Sequence, residues 1–369
     1  MPPQPWNSEE NMQEPIKNFY DKEQKTRQGE VIIRRGDGSF KIKDVHGEEY
    51  FWVEDEPKYF FKQNNDVTDR DGEILYSYLA SALGLDVVKV RPAVDVNAVK
   101  APHQAKEGLI AQDYAHGLDN TIMVHAYKLK DLEVYHSVEE NLAAVQDYKE
   151  TLMEIHRTRK VFVDKNLATS LEKMLVLDFL TLQEDRHSGN VVYTATKTEE
   201  VIFIRLGKIF DNSMVFYFCA PQTFNRLSNS FKLGQFEWFN ISVDDFYRPK
   251  FFFKKGDDKK MPEDVAGNET TLYQTRQIAR LAARNSVIDE FFKKADNLSF
   301  DSILETIKQD MPEYNIGKGK ATLAKYMWQH RVNILRTAIF EAKLTKNQKQ
   351  QQTEQKPKTK VCKEKERDM

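Results

Sequence analysis

Short runs of alternating apolar and polar residues begin at Glu30 and continue for about eighty positions. Residues 31–33 and 40–45 flank a glycine-rich turn at 36–39, which is the pattern of a β-hairpin. Later runs are equally short and rich in β-branched or aromatic residues: 50–53, 58–62, 87–90 and 108–114. Residues 30–115 are therefore predicted to form an antiparallel sheet.

One helical pattern interrupts these strands. Apolar residues recur with helical spacing at Ile74, Leu75, Tyr78, Leu79, Ala82 and Leu83. Asp71 is the predicted N-cap of this helix and Gly84 its predicted C-cap. The first folded unit is thus expected to be a sheet that carries one helix.

The second half of the chain has a mainly helical pattern. The strongest helix is predicted over about 168–183, within a helical stretch at 138–184. A hairpin pattern follows at 191–204, with a polar turn near Lys197. Further helical patterns occur near 272–295, 300–310 and 320–342. The predicted organisation is a flexible arm at 1–29, a sheet-rich unit at 30–115, a mainly helical unit at 116–342 and a disordered Lys- and Gln-rich tail at 343–369.

Composition narrows the classes of protein that remain. Hydrophobic residues make up 40% of the chain and charged residues 30%, as in soluble globular proteins. The formal net charge of −2 does not favour a nucleic-acid partner. The two cysteines, Cys219 and Cys362, exclude a four-cysteine zinc site and suit a reducing compartment. No signal-peptide pattern or membrane-spanning run is visible, so a cytoplasmic location without membrane partners is expected; export by a route without a signal peptide stays open.

Polar residues that suit phosphoryl transfer follow the strongest helix. That chemistry needs a carboxylate near the acceptor hydroxyl and an oxygen ligand for Mg²⁺ on the phosphates. Asp185 and Asn190 lie five positions apart in the segment DRHSGN, between a helix and a strand. Protein kinases have this spacing in the catalytic loop. Asp185 with Arg186 is also compatible with an ordinary ion pair at a helix end.

A second candidate metal ligand lies at the end of the hairpin. Asp211 follows the strand-like residues 208–210 and interrupts their pattern. Magnesium prefers hard oxygen ligands and keeps several waters, so one carboxylate and one amide are sufficient together with phosphate oxygens. Asn190 and Asp211 are therefore the predicted magnesium ligands.

The first unit offers residues that could hold ATP. A kinase pairs a strand lysine with a helix glutamate to hold the α- and β-phosphates, and Lys62 and Glu73 are placed for these roles. Lys58 is a rival for Lys62 because it lies on the same strand face. A plain edge-strand lysine, and a first-turn glutamate favoured by the helix dipole, are the alternatives.

Two further segments are candidates for nucleotide binding. Backbone N–H groups of the turn containing Gly36, Gly38 and Ser39 could surround phosphates, although a plain hairpin turn has the same pattern. At the end of the sheet, a hinge could offer backbone groups to adenine; its residues are Gln112, Asp113 and Tyr114.

The segments LDFLTLQEDRHSGN at 177–190 and IFDNS at 209–213 resemble the HipA-like serine/threonine kinases. That family has a D-R-H-x-x-N catalytic loop and a metal-binding Asp where typical kinases have DFG. The Lys62 and Glu73 segments and the hinge at 111–114 are similar as well, and the likeness covers roughly 30–340. Residues 1–29 are too few for the extra N-terminal domain of HipA toxins, so the resemblance is to a compact form.

The resemblance implies an α+β, bilobal protein-kinase-like fold and an enzyme that uses ATP and Mg²⁺. Asp185 would be the catalytic base in a loop shared with Arg186 and His187, where His187 supports the loop without binding metal. Lys62 would bind phosphate, and Ser39 becomes a candidate for autophosphorylation. The implied activity is serine/threonine phosphorylation of an unidentified protein.

Two other functions are compatible with parts of this pattern. Phosphatidylinositol kinases share D-R-H-x-x-N but continue with an H-I-D-F-G-like segment, which residues 210–212 do not match. A nucleotide-binding pseudokinase that serves as an interaction module would not need to retain all four of the groups that this chain keeps: Lys62, Asp185, Asn190 and Asp211.

Overall fold

The structure is a computed structural model of the whole chain. It describes residues 24–25, 31–33, 41–43, 49–52, 59–63, 69–95, 106–112, 120–129, 137–183, 185–216, 218, 267–312 and 314–354.

The first sheet contains seven of the described strands. They are β1 Gln24–Lys25, β2 Val31–Ile33, β3 Lys41–Lys43, β4 Glu49–Trp52, β5 Tyr59–Gln63, β6 Val90–Asp95 and β7 Lys106–Gln112. Their order across the sheet is β1-β2-β6-β7-β5-β4-β3. The predicted antiparallel pairing holds except that β2 and β6 are parallel, since the intervening chain crosses over before β6 joins β2. Within the predicted flexible arm at 1–29, residues 24–25 form β1 and pair with β2, and the other residues of the arm lie outside the described part of the chain.

The inserted helix α1 spans Arg70–Ala82. Its N-cap is Asp69, whose carboxylate accepts a hydrogen bond of 2.9 Å from the Gly72 N–H. The prediction of Asp71 as N-cap is therefore wrong by two residues. Gly84 follows the helix with φ of +79°, the left-handed conformation predicted for a C-terminal glycine.

The second half builds a smaller sheet and a set of helices. Its elements are β8 Thr121–His125, a 3₁₀ turn Ala126–Lys128, α2 Val138–Ile155, β9 Lys160–Val163, α3 Leu167–Thr181, a 3₁₀ turn Ser188–Asn190, β10 Val192–Lys197, β11 Val201–Leu206, α4 Gly267–Arg284, α5 Ser286–Asn297, α6 Phe300–Asp310 and α7 Lys318–Glu354. The predicted hairpin is present as β10 and β11, with Ala195 opposite Ile204. The described strands of this sheet are ordered β8-β10-β11-β9. Strand β9 was missed in the predicted helical stretch; it pairs parallel with β11.

Helix α7 is longer than predicted. The apolar periodicity ends near 342, yet the helix continues to Glu354. Two lysines in this part hold it against α4 and α5: Lys343 Nζ lies 2.6 Å from Asp289 Oδ1, and Lys346 Nζ donates to the Ala283 carbonyl at 2.9 Å. The prediction that disorder begins at 343 is therefore wrong, because side-chain contacts replace the missing apolar stripe.

A continuous apolar core joins α1, α3 and α7. Helix α1 is buried on more sides than its predicted stripe requires, since Tyr76 and Ser77 are buried together with Ile74 and Leu79. Between α3 and α7, the Arg331 guanidinium lies 3.7 Å from the centre of the Phe179 ring. Across the described residues, no helix has both the length and the apolar character that a bilayer crossing requires.

His330 on α7 makes the stability of the fold sensitive to acid. Burial, with the nearby charge of Arg331, lowers the pKa of His330 to about 4, whereas an unfolded histidine titrates near ~6.5. Between these values the unfolded chain binds the proton and the folded chain does not. The free energy of unfolding therefore falls as the pH drops through this window.

We expect the stability advantage of wild type over His330→Gln to shrink as the pH falls from about 6.5 toward 4. Urea unfolding of both proteins at several pH values measures this difference. Parallel curves for the two proteins would contradict the assignment of His330 as a half-buried neutral group.

Candidate active site

Strand β5, helix α1 and the segment after β11 bring three charged side chains together. Lys62 Nζ forms an ion pair and hydrogen bond with Asp211 Oδ1 and lies 3.9 Å from Glu73 Oε2. Lys62 and Glu73 are buried, while the Asp211 side chain keeps 32% of its surface exposed. The predicted contact between Lys62 and Glu73 is therefore present. The rival Lys58 lies outside the described residues.

Glu73 connects α1 to the backbone beside Asp211. Its Oε2 accepts a hydrogen bond of 2.6 Å from the Asn212 N–H. Burial raises the pKa of Glu73 to about 6; Lys62 opposes this rise, and the Asp211 charge adds to it. The position of α1 thus decides where both Lys62 and the Asp211 segment are held.

Asp211 adopts an unusual backbone conformation. Its φ is +54°, in the left-handed region that Asp tolerates better than most residues with a side chain. Burial would raise the pKa of Asp211, but the ion pair and hydrogen bond with Lys62 outweigh it and lower the pKa. Asp211 is therefore an ionised carboxylate, the form that a metal ligand needs.

The loop after α3 presents Asp185 to the open side of the site. Its N–H donates to Gln183 Oε1 at 3.2 Å, and the Asn190 Nδ2 donates to the Asp185 carbonyl at 2.9 Å. The Asp185 side chain is 38% exposed. Burial of the rest of the carboxylate raises the pKa of Asp185; His187 opposes this rise and Asp211 adds to it. A partly exposed carboxylate with a raised pKa suits a group that accepts a proton.

His187 and His125 support the loop. His187 Nδ1 accepts a hydrogen bond of 2.9 Å from the Gly189 N–H, and its Nε2 lies 3.8 Å from Asp185 Oδ2. His125 Nδ1 lies 2.8 Å from the Gly189 carbonyl oxygen. A Cβ at Gly189 would lie 2.6 Å from the His187 ring, so a side chain at this position would displace that ring. His187 thus makes the loop-supporting contacts that the resemblance implied.

Arg186 is buried beneath the site, with 1% of its side chain exposed. Its Nε and Nη2 donate to the two carboxylate oxygens of Asp178 at 2.9 and 3.1 Å. Its Nη1 donates to the carbonyls of Asn190 and Phe210, both at 3.1 Å. Burial opposes the charge, but Asp178 raises the pKa of Arg186. We therefore infer that Arg186 holds the loop and the Asp211 segment together. The sequence had led us to predict it among the catalytic residues.

The partners of Arg186 were not identified from the sequence as site residues. Tyr76 donates to Asp178 at 2.7 Å and accepts from Arg186 at 3.3 Å, and Arg186 also donates to the Asn212 side chain. One signal was present: Asp178 is the single charged residue in the apolar run 174–182. A charge inside a buried helix needs a partner of opposite sign.

Several predicted nucleotide-binding residues remain predictions. Asp113, Tyr114 and the turn with Gly36, Gly38 and Ser39 lie outside the described residues. Gln112 is at the end of β7, where its backbone pairs with Tyr59 at the sheet end.

The donor set fits magnesium. Asp211 offers an ionised carboxylate and Asn190 an amide oxygen, and both are hard ligands. Asn190 donates its Nδ2 to Asp185, so the metal ligand and the candidate base share one hydrogen bond. Among the described residues, no group of three or more His, Cys, Asp or Glu side chains is arranged to hold a metal. One carboxylate and one amide match the kind of Mg²⁺ site that phosphate oxygens and waters complete.

Gly72 allows α1 to approach the Asp211 segment closely. A Cβ on Gly72 would lie 2.6 Å from the Ser213 carbonyl oxygen and 3.1 Å from Val215 Cγ2. The first distance is shorter than atoms tolerate, and the obstructing atom belongs to the backbone. Any side chain at Gly72 would move α1 away from the segment that carries Asp211.

No family model matches the chain, and no curated protein matches its sequence. Solved structures do match. The crystal structure of the Helicobacter pylori proinflammatory kinase CtkA is 16% identical, with a TM-score of 0.50, over 80% of this chain and 91% of CtkA. The HipA, HipB and operator DNA complex of Shewanella oneidensis MR-1 matches at 14% identity and a TM-score of 0.42, over 84% and 66%. The Golgi casein kinase with Mn/ADP bound matches at 11% identity and 0.40, over 84% and 72%.

The likeness to CtkA confirms the predicted bilobal, kinase-like α+β fold. The fold of CtkA, a kinase, agrees with the kinase family that the sequence motifs resemble.

Asp178→Asn should destabilise the protein by about 3–5 kcal/mol, because it leaves the buried Arg186 charge uncompensated. Tyr76→Phe should cost about 1–2 kcal/mol, since it removes one hydroxyl from the same network. Urea unfolding measures both losses. Asp301→Asn, at an exposed carboxylate, is the matched control and should change stability by less than about 1 kcal/mol. Equal losses for Asp178→Asn and Asp301→Asn would show that Arg186 does not depend on Asp178.

Gly72→Ala should lower stability by about 1–3 kcal/mol through overpacking against Ser213. Gly319→Ala is the control: it lies in the first turn of α7, and a Cβ there would meet nothing within 4 Å. The control should be neutral or slightly stabilising because alanine favours helix. Thermal unfolding compares the two, and similar behaviour would contradict the close contact at Gly72.

Proposed function

We propose that the chain is an ATP- and Mg²⁺-dependent protein serine/threonine kinase. The observation that carries this proposal is the convergence of Lys62, Glu73 and Asp211 beside the loop that holds Asp185 and Asn190. A kinase-like fold brings these five residues together from four separate parts of the sequence. The likeness to CtkA supports the fold in which such a site operates.

Lys62 would hold the phosphates of ATP. It lies between two carboxylates, so its ammonium is kept charged in a buried position. Glu73 limits how far the ammonium can move, and the Asn212 N–H in turn holds Glu73. When phosphate is present, Lys62 can exchange part of its contact with Asp211 for the phosphate oxygens, which leaves the Asp211 carboxylate for the metal.

Asp185 would orient the acceptor hydroxyl and accept its proton. Its exposed side chain reaches the open face, while its backbone is held by Gln183 and Asn190. The raised pKa brings it closer to that of a useful base. Magnesium, when bound by Asn190 and Asp211, would neutralise the charge that develops on the phosphates.

A protein acceptor is favoured over a lipid for two reasons. The segment that contains Asp211 reads Phe210-Asp211-Asn212, and the Asn212 side chain is buried against Arg186, which differs from the segment of phosphatidylinositol kinases. In addition, neither 185–190 nor 209–213 adjoins in sequence a cluster of about four or more Lys or Arg residues, of the kind that attracts anionic lipids. A pseudokinase is the third possibility, and the retained ligand set argues against it.

The test is phosphoryl transfer from γ-labelled ATP with Mg²⁺ by the full chain. Three reactions run in parallel: the protein alone, with generic protein acceptors, and with vesicles that contain inositol lipids. We expect label on protein, at serine or threonine as identified by mass spectrometry. Asp185→Ala and Asp211→Ala should each reduce transfer by at least about 100-fold, and chelation of Mg²⁺ should stop it.

Asp301→Ala is the matched control because it removes an exposed carboxylate far from the site in sequence, and it should retain wild-type transfer. Label on lipid alone would instead identify a lipid kinase. Nucleotide binding without transfer to any acceptor would identify a pseudokinase. Transfer that survives Asp185→Ala would contradict the role given to that carboxylate.

A further inference from the structure

A cluster of charged and aromatic residues connects the first turn of α1 to the second lobe. We use this name for the smaller sheet and the helices that follow β7. Lys320, in the first turn of α7, donates to Asp69 Oδ2 at 2.5 Å and to Asp71 Oδ2 at 2.9 Å. Tyr314, in the segment before α7, donates to Asp71 Oδ1. We call these four residues the α1 clamp. The two aspartates are distant in sequence from Tyr314 and Lys320, so the contact between them exists only in the folded chain.

The position of Lys320 is unfavourable for α7 itself. A cation in the first turn of a helix opposes the helix dipole, and no acidic residue offsets it within that turn. The side chain is three-quarters buried and lies 5.1 Å from the centre of the Phe218 ring. Burial would lower the pKa of Lys320, but Asp69 and Asp71 outweigh burial and raise it. The two aspartates on α1 therefore compensate for the charge.

Asp69 of the clamp lies one helical turn from Glu73, the residue that pairs with Lys62. The Glu73 N–H donates to the Asp69 carbonyl at 3.1 Å, so Asp69 and Glu73 move together. Glu73 in turn accepts from the Asn212 N–H and lies near Lys62. Gly72, between them, packs directly on Ser213. A shift of the first turn of α1 would change all of these contacts.

We propose that Lys320, assisted by Tyr314, is a positioning residue for phosphoryl transfer. It fastens the first turn of α1 to the second lobe and so holds Glu73 between Lys62 and the Asn212 backbone. Kinases need this lysine–glutamate pair in place for activity, and the position of the helix controls it. In this chain the position of α1 is controlled by the contact between the residues of the α1 clamp. The catalytic part of this inference rests on the proposed function, whereas the structural part does not.

The kinetic test compares Lys320→Met with Lys320→Arg, Tyr314→Phe and Lys325→Met. Lys320→Met keeps the stem of the side chain and removes the ammonium, and kcat should fall by about 10- to 100-fold. The KM for the protein acceptor should change by less than about two-fold, because the proposed effect of the clamp passes through Glu73 and Lys62 and not through Asp185, which would orient the acceptor. Lys320→Arg should restore most of kcat, and Tyr314→Phe should lower it by a few-fold.

Lys325→Met is the matched control. Lys325 lies on the same helix and pairs with the exposed carboxylate of Asp301 at 2.5 Å, outside the α1 clamp. Its loss should leave kcat at the wild-type value. Urea unfolding of every variant, with kinetics measured where each is folded, separates a loss of activity from a loss of folded protein.

Amide hydrogen exchange tests the clamp without any catalysis. In Lys320→Met the amides of the first turn of α1 and the Asn212 amide should exchange at least about 10-fold faster, whereas Lys325→Met should match wild type. Faster exchange limited to Asn212 and α1, together with loss of kcat, supports the proposal. Unchanged exchange at Asn212 would overturn it, as would a kcat equal to that of Lys325→Met.

The two proposals fail in different ways. A wild-type protein that transfers no phosphate would refute the kinase function, and the exchange data would still decide whether Lys320 holds Glu73. An active wild type with a normal Lys320→Met would refute the clamp alone.

Discussion

The ion pair between Arg186 and Asp178 is the constraint on which the rest of the site depends. A guanidinium this deeply buried is stable only if each side of it meets an acceptor. The acceptors come from α3, α1, the loop at 185–190 and the segment after β11. Satisfying one charge therefore fixes the relative positions of four chain segments. Asp185, Asn190 and Asp211 all lie within one or a few residues of these anchor points.

Lys62, Glu73 and Asp211 lie above the Arg186 network, and their charges are balanced in a way that suits nucleotide binding. Lys62 is shared between Glu73 and Asp211, and the two carboxylates respond differently: the pKa of Glu73 is raised, while that of Asp211 is lowered. The difference follows from contact, because Lys62 bonds directly to Asp211 and lies farther from Glu73. Glu73 instead accepts a backbone N–H, which couples it to the segment of the candidate metal ligand. Charge and backbone geometry are thus linked through α1.

Helix α1 lies in the chain between two strands of the first sheet, yet it also contacts the second lobe. Its outer face meets the second lobe through Tyr76, Tyr78 and the α1 clamp, while Ser81 and Ala82 at its C-terminal end are exposed. This explains why its predicted apolar stripe underestimated its burial. It also explains why polar residues on α1, such as Asp69 and Asp71, are as constrained as the apolar ones.

Local features could be predicted from the sequence alone. The hairpin β10–β11, the helix before Asp185 and the helix before Gly84 were predicted correctly, because apolar periodicity and turn residues act over a few positions. The contact of Lys62 with Glu73 was predicted from the lysine–glutamate pair that kinases need. Asp185, Asn190 and Asp211 were identified by spacing, and the structure places them at one site.

The contacts between distant segments could not be predicted from the sequence. The parallel pairing of β2 with β6, the extension of α7 beyond 342, the burial of Arg186 and the attachment of Lys320 to α1 have no signature in local pattern. Each depends on which charged or hydrogen-bonding groups meet across the fold, and a charge looks the same in sequence whether it is solvated or buried. Asp178 is the exception, since a lone carboxylate in an apolar helix indicates a buried partner; its identity, Arg186, emerges only when the chain is folded.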